Sequence, residues 1–146
     1  MTIYADASFI VALVVESDEH RPAAWRWWQG NDGPVIQVSR LTIFEAQNTI
    51  RGWGVARKCR PSEVTTALHR LHRLLLEGVL LRRRVTDHRL FPHAARLSQF
   101  HTTIATYGAL DILHVATALE LRASTFLSFD KRQRELAEAE GLVVLP

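Results

Sequence analysis

The chain has 146 residues, of which 47% are hydrophobic and 23% are charged, and these values predict one globular domain with a substantial core. Eighteen Lys and Arg residues against fifteen Asp and Glu residues give a formal net charge of +3, which permits a polyanionic partner without requiring one. The single cysteine excludes an internal disulfide and favours a reducing compartment. Because we find neither a signal peptide nor an apolar run long enough to span a bilayer, we expect a cytoplasmic protein without membrane association.

The first half of the chain alternates short apolar stretches with helical patterns. Residues 3–5 are predicted to form a buried strand, and Ser8 is predicted as the N-cap of an apolar, buried helix that runs to Val15. The next predicted elements are a helix over residues 21–29, a strand over 35–38, a helix from Ser39 to residues 52–54 or beyond, and a helix from Pro61 to Gly78.

The second half continues this alternation. Its predicted elements are a strand near a sheet edge over residues 79–85, a helix over 87–107 with a break allowed at Pro92, an apolar helix over 109–121, a strand over 125–128, a helix over 131–139 and a strand over 142–145. Strands that alternate with helices along a whole chain predict an α/β fold. We therefore expect one domain with a central parallel sheet and helices on both faces.

Four acidic residues interrupt apolar sequence at places that a parallel sheet would bring to one edge. Asp6 ends the first strand, Glu45 lies in the first turns of the helix after the second strand, Asp111 lies in the first turn of an apolar helix, and Asp130 follows the fourth strand. Carboxyl ends of parallel strands and the N-termini of the helices that follow them share one edge, so these carboxylates are predicted to converge.

Buried carboxylates need a positive partner, and no basic residue is adjacent in sequence to Asp6 or Asp111. A hard divalent cation, Mg²⁺ or Mn²⁺, prefers such oxygen ligands and is the predicted partner. Taken alone, Asp6 is compatible with a capping or turn residue, Asp111 and Asp130 with acids at helix N-termini, and Glu45 with a residue on a helix surface. These interpretations stay open at this point.

The motifs around these acids resemble those of PIN-domain ribonucleases, in particular the VapC-type toxins of bacterial toxin–antitoxin pairs. The resemblance covers nearly the whole chain and is carried by four stretches in order: Asp6-Ala7-Ser8, Glu45 with Asn48, residues 110–118 around Asp111, and Ser128-Phe129-Asp130. One departure is that Arg132 stands where some members of the family carry a further acid, which leaves a second metal position open.

The resemblance implies one PIN domain over residues 1–146 that acts as a metal-dependent endoribonuclease, a hydrolase that cuts RNA phosphodiester bonds with metal-activated water. The implied catalytic and metal-binding residues are Asp6, Glu45, Asp111 and Asp130. The residues implied to orient them by hydrogen bonds are Ser8, Asn48 and Ser128. The resemblance also implies an RNA substrate, a cognate VapB-type antitoxin and a homodimer.

Two other hypotheses remain for the activity. One is a non-catalytic PIN-like binding module whose acids only cap helices. The other is a phosphatase with Asp6 as its nucleophile, although Ser8 stands where such an enzyme needs a second aspartate.

Several further residues are compatible with a role in binding but do not require one. His114, one turn from Asp111, is as compatible with a hydrogen-bonded core residue as with a site residue, and Trp27 would suggest a dimer or antitoxin contact if it were exposed. His69 and His72 are expected at the surface. The basic residues that would either contact RNA or form a solvated surface are Arg51, Arg57, Lys58, Arg60 and Arg82-Arg83-Arg84.

Overall fold

Five parallel strands form a single sheet in the order β3-β2-β1-β4-β5 in the computed structural model, which describes residues 1–146. The elements in chain order are β1 Ile3–Ala5, α1 Ala7–Val14, α2 Arg21–Gly30, β2 Ile36–Val38, α3 Arg40–Val55, α4 Pro61–Leu76, β3 Leu80–Arg82, α5 Asp87–His101, α6 Ala109–Glu120, β4 Thr125–Leu127, α7 Lys131–Ala139 and β5 Val143–Leu145. The predicted α/β fold with a central parallel sheet is confirmed, and β3 lies at the sheet edge as expected.

Helices cover both faces of the sheet. Successive residues of a strand point to opposite faces, so the apolar strands place hydrophobic side chains on both sides, and helices bury them on each side. Ile3 and Ala5 belong to a core shared with helices α1 to α4. Tyr4, between them, belongs to a second core shared with α5, α6 and α7. Helix α1 lies in the first of these cores with every residue except Ser8 buried, which confirms the prediction for this apolar segment.

Two predicted details are wrong. The N-cap of α1 is Asp6 and not Ser8, since both residue types can cap and the Asp6 carboxylate is the group that accepts from Phe9 N. Helix α5 crosses Pro92 and ends at His101, not at residue 107, because the β-branched residues that follow have low helix propensity. The condition attached to Trp27 is not met, because its ring is partly buried and lies edge-on to Phe9.

Two local arrangements stabilise helices α2 and α3. Trp25 and Trp28 pack against each other edge to face, and Ser39 caps α3 in a reciprocal hydrogen-bonded arrangement with Thr42. The free Cys59 is buried. No helix of the chain combines the length and the apolar composition that crossing a bilayer requires.

A cluster around Glu140 fastens α5 to the end of α7. Arg96 donates hydrogen bonds to both carboxylate oxygens of Glu140, and His101 Nε2 lies 2.7 Å from Glu140 Oε1. The hydrogen bonds from Arg96 are the largest cause of a pKa of Glu140 below its ordinary value. The charged form of Glu140 is therefore stabilised by folding.

We predict that Glu140→Gln lowers the free energy of unfolding at about pH 6, by on the order of 1 kcal/mol because Arg96 is partly exposed. A lowered pKa in the folded state gives stability that is present above the unfolded pKa, about 4.3, and is lost as the pH falls through the folded pKa. The difference between wild type and variant should therefore shrink on acidification in urea unfolding series. Glu135→Gln, at an exposed glutamate near Lys131, is the control and should change little.

Candidate active site

Asp6 is the most deeply buried acid of the chain and lies at the carboxyl end of β1. Phe9 N donates to its Oδ1 over 3.0 Å, Ser8 Oγ lies 2.8 and 2.9 Å from its two oxygens, and Ser128 Oγ donates to Oδ2 over 2.7 Å. Burial raises the pKa of Asp6, although the nearby His114 and the hydrogen-bond donors oppose that shift. The fold thus holds this carboxyl group fully hydrogen-bonded but away from solvent.

The two serines also connect Asp6 to the segment that follows β4. Ser128 Oγ accepts a hydrogen bond from Asp130 N over 3.0 Å, and Ser8 Oγ accepts one from Phe129 N over 2.8 Å. Both serines therefore contact Asp6 directly, and they hold the turn that carries Asp130 against it.

Asp130 is the N-cap of α7. Its Oδ1 accepts hydrogen bonds from Arg132 N at 2.9 Å and Gln133 N at 3.1 Å. The Arg132 side chain, which replaces the acid found in some family members, is exposed.

Asp111 lies in the first turn of α6 and accepts a hydrogen bond from Gly108 N at 2.9 Å, as a helix-capping acid does. Its other oxygen is 3.3 Å from Gln133 Nε2. Gln133 is almost completely buried, and its Oε1 has no hydrogen-bond partner. Gln133 therefore joins Asp111 to the start of α7 and leaves one buried acceptor unsatisfied.

Glu45 projects from α3 towards a buried histidine. Its Oε2 lies 2.6 Å from His114 Nε2, and His114 Nδ1 lies 2.9 Å from the Tyr4 hydroxyl. The Tyr4 hydroxyl is also 2.9 Å from Thr42 Oγ1. Burial alone would lower the pKa of His114, but Tyr4, Glu45 and Asp6 together more than offset burial and raise it. The contact of His114 Nε2 with Glu45 Oε2 holds the Glu45 side chain in place.

A cleft of about 480 Å³ opens at this edge of the sheet. Three of the four predicted acids, Asp6, Glu45 and Asp130, line it, as do Ser8 and Gln133. Two further acids, Asp18 and Glu19, also line the cleft and were not predicted. Asp111 is not among the lining residues and connects to the cleft through Gln133.

The predicted carboxylates lie near the same cleft, but they are farther apart than the ligands of a bound metal ion. No three His, Cys, Asp or Glu side chains lie close enough together to hold a metal ion. Asn48 is exposed and does not line the cleft, whereas its neighbour Thr49 does. The assignment of Asp6, Glu45, Asp111 and Asp130 as metal ligands stays a prediction.

Sequence reasoning missed Tyr4 and Gln133. A tyrosine inside a buried strand is itself a signal, because a buried hydroxyl requires a hydrogen-bond partner. Gln133 gives no comparable signal, since glutamine is ordinary in the first turn of a helix and only the packing of α6 against α7 buries it.

Comparison with known proteins agrees with the fold and the order of these motifs. The PIN domain family model matches residues 3–139, and the chain belongs to the PIN domain family. No protein of curated description matches the sequence significantly.

Several solved structures share the fold over nearly the whole chain. VapC20 of Mycobacterium tuberculosis, described as a sarcin-ricin loop cleaving toxin, has 23% identity and a TM-score of 0.72, covering 99% of this chain and 100% of its own. FitAcB of Neisseria gonorrhoeae has 17% identity and a TM-score of 0.68, covering 99% and 97%. VapBC2 of Rickettsia felis, crystallised with a DNA fragment from its promoter, has 14% identity and a TM-score of 0.65, covering 98% and 97%.

We predict that two substitutions at Asp6 differ in their effect on the free energy of unfolding in metal-free buffer at neutral pH. Asp6→Asn keeps an acceptor for Phe9 N and removes a buried charge, and it should raise the free energy of unfolding by about 0.5–2 kcal/mol. Asp6→Ala also leaves Ser8 and Ser128 without their acceptor, so it should be less stable than Asp6→Asn by about 1–3 kcal/mol. Urea denaturation of the three proteins checks this order, and equal stability of the two variants would contradict it.

We also predict that Tyr4→Phe lowers the free energy of unfolding by about 1–3 kcal/mol, because it leaves the buried His114 Nδ1 without its hydrogen-bond partner and removes one of the contacts of Thr42 Oγ1. Tyr107→Phe is the matched control, since the Tyr107 hydroxyl makes no hydrogen bond in the chain and its loss should change stability little. Thermal or urea unfolding measures both. Equal effects of the two substitutions would show that the Tyr4 hydroxyl contributes nothing specific.

Proposed function

We propose that this protein is a divalent-metal-dependent endoribonuclease that acts as the toxin of a type II toxin–antitoxin pair. The observation that carries the proposal is the cleft at the carboxyl edge of the sheet, where Asp6, Glu45 and Asp130 line one surface. Membership of the PIN domain family supports a nuclease, and the likeness to structures described as VapC20, VapBC2 and FitAcB supports a toxin.

The residues of the cleft suit a hydrated divalent cation. Carboxylate oxygens are the ligands that Mg²⁺ and Mn²⁺ prefer, and Mg²⁺ commonly keeps several waters when only a few carboxylates bind it. A looser arrangement of acids therefore fits such an ion. The unpaired Oε1 of Gln133, buried beside these acids, would accept a hydrogen bond from one of the waters.

Asp6 and Asp111 would be the primary ligands, and Glu45 and Asp130 would complete the site directly or through water. When bound, the ion would supply Lewis acidity that favours deprotonation of water near neutral pH. The chain's own residues orient the carboxylates: Ser8 and Ser128 hold the two oxygens of Asp6, and His114 holds Glu45. Gln133 holds Asp111, so that each acid has a fixed partner.

An arginine-rich groove supports RNA as the substrate. Arg40 follows β2, residues 82–84 end and follow β3, and these arginines line a groove of about 1130 Å³ together with His88. The groove starts at the same carboxyl edge of the sheet as Asp6. None of these four arginines forms an ion pair with a carboxylate, so their charges are available for phosphates of the RNA backbone.

An antitoxin and a second copy of the chain are part of the same proposal, as is action on RNA in the cytoplasm. VapBC2 and FitAcB support the antitoxin, and exposed aromatic side chains support protein contacts. Phe44 on α3 and Phe91 and Phe100 on α5 are each more than half exposed, which is costly for a chain without partners.

One observation favours the alternative, a binding module without catalysis. Asp6, Asp111 and Asp130 each accept a backbone N–H at a helix N-terminus, which is what capping acids do. The phosphatase hypothesis has no such support, because Ser8 stands where such an enzyme needs a second aspartate.

We predict that the purified protein cuts RNA only with Mg²⁺ or Mn²⁺, and that Asp6→Asn and Asp111→Asn each lower the rate by about 100-fold or more. Loss of a group that merely orients a metal ligand costs 10- to 100-fold, so loss of a ligand should cost at least the upper value. The measurement is the rate of cleavage of a structured RNA on a gel. Mn²⁺ should also raise the thermal midpoint of the wild type alone.

Asp32→Asn is the control, since Asp32 is an exposed turn residue outside the cleft and should keep wild-type activity. If the folded wild type cuts no RNA with Mg²⁺ and none with Mn²⁺, the nuclease proposal is rejected. RNA binding without cleavage would then favour the binding module.

A further inference from the structure

Three aromatic rings stack in one column beside the acidic residues. The rings of Phe9 and Phe129 have centroids 6.0 Å apart and planes within 9°. The rings of Phe129 and His20 have centroids 4.4 Å apart and planes within 4°. Phe9 is buried, Phe129 is partly buried and His20 is exposed, so the column runs from the core to the surface.

The column ends in the cleft. Phe129 and His20 both line it, together with Asp6, Glu45 and Asp130. The His20 side chain is 46% exposed, and Phe129 is the one ring that stacks on it. A flat group placed on the other side of His20 would continue the column without displacing any aromatic contact of the chain.

Apart from its stacking on Phe129, the His20 side chain makes no hydrogen bond that holds the fold together. Its residue is the N-cap of α2, but its side chain makes no capping hydrogen bond. Its one polar neighbour is the exposed Glu19, 3.7 Å from Nε2. A stacked, half-exposed ring at the mouth of the cleft is therefore better explained by what it contacts in a complex.

The charges around His20 restrict what that contact is. Asp18 and Glu19 directly precede it in the sequence and line the same cleft, and Lys58 is the one lysine or arginine among the lining residues. A nucleic-acid duplex would bring two phosphate backbones to this acidic surface and keep its bases stacked inside. An unpaired nucleotide offers a neutral, flat base, and its single phosphate would meet Lys58.

We infer that the cleft binds an unpaired nucleotide of RNA whose base stacks on His20 and extends the column of Phe9, Phe129 and His20. This inference rests on the proposed function for the identity of the nucleic acid as RNA. It adds to that function the side chain that receives the base, His20.

The test is equilibrium binding of a fluorescein-labelled, single-stranded oligoribonucleotide of about eight nucleotides, followed by anisotropy. All proteins carry Asp6→Asn so that no cleavage occurs. His20→Ala should weaken binding by about 5- to 150-fold, the range for the loss of one stacked base. His20→Tyr keeps an aromatic face and should bind within about threefold of the parent protein.

Two controls separate stacking from general effects. His69→Ala removes an exposed histidine from α4, outside the cleft, and should leave binding unchanged. A blunt duplex of the same sequence should bind equally well with or without the His20 ring. Circular dichroism melting verifies that His20→Ala is folded, as the absence of a side-chain cap at His20 predicts.

The inference is overturned if His20→Ala binds the single strand as tightly as His69→Ala does, or if His20→Tyr loses as much affinity as His20→Ala. Failure of the proposed function would give a different result. If the wild type cuts RNA and the His20 ring has no effect on binding, the nuclease proposal is supported and the stacking inference is rejected. If the wild type cuts no RNA and binding still depends on the His20 ring, the stacking inference is supported and the nuclease proposal is rejected.

Discussion

The carboxyl group of Asp6 is the constraint on which the rest of the site depends. A buried acid at a strand end is costly unless its oxygens are satisfied, and here the donors come from α1 and from the turn after β4. Satisfying Asp6 therefore fixes the position of that turn and, through Ser128, the position of Asp130. The cleft exists because the buried carboxylate of Asp6 holds α1, near the start of the chain, against the turn after β4, near its end.

A second buried network does the same for Glu45. Tyr4 points to the face of the sheet opposite to that of Ile3 and Ala5, and its hydroxyl contacts both α3 and α6. His114 connects the Tyr4 hydroxyl to Glu45. Because hydrogen bonds are directional, the network sets the side-chain direction of Glu45 as well as the spacing of two helices. Apolar packing alone would leave that direction free.

Much of this could be predicted from the sequence, for identifiable reasons. The short apolar strands and the alternation with helices specify a parallel sheet, and a parallel sheet places Asp6 and Asp130 at one edge. What could not be predicted depends on tertiary contacts. Asp6 and Ser8 are both good caps, and only the hydrogen bond from Phe9 N to the carboxylate shows that Asp6 takes the role. The pairings of Glu45 with His114 and of Asp111 with Gln133 join helices distant in sequence, and no local pattern records them.

The hydrogen bond between Ser128 and Asp6 joins residues separated by 122 positions. A chain emerging from the ribosome in order therefore exposes β1, α1 and Asp6 long before the segment that completes their environment has been made. Until β4 and the turn after it are synthesised, Asp6 lacks one of its donors and the cleft lacks the wall formed by Phe129 and Asp130. Assembly of the cleft is consequently a late event in biosynthesis, and incomplete chains of this protein cannot carry an assembled site.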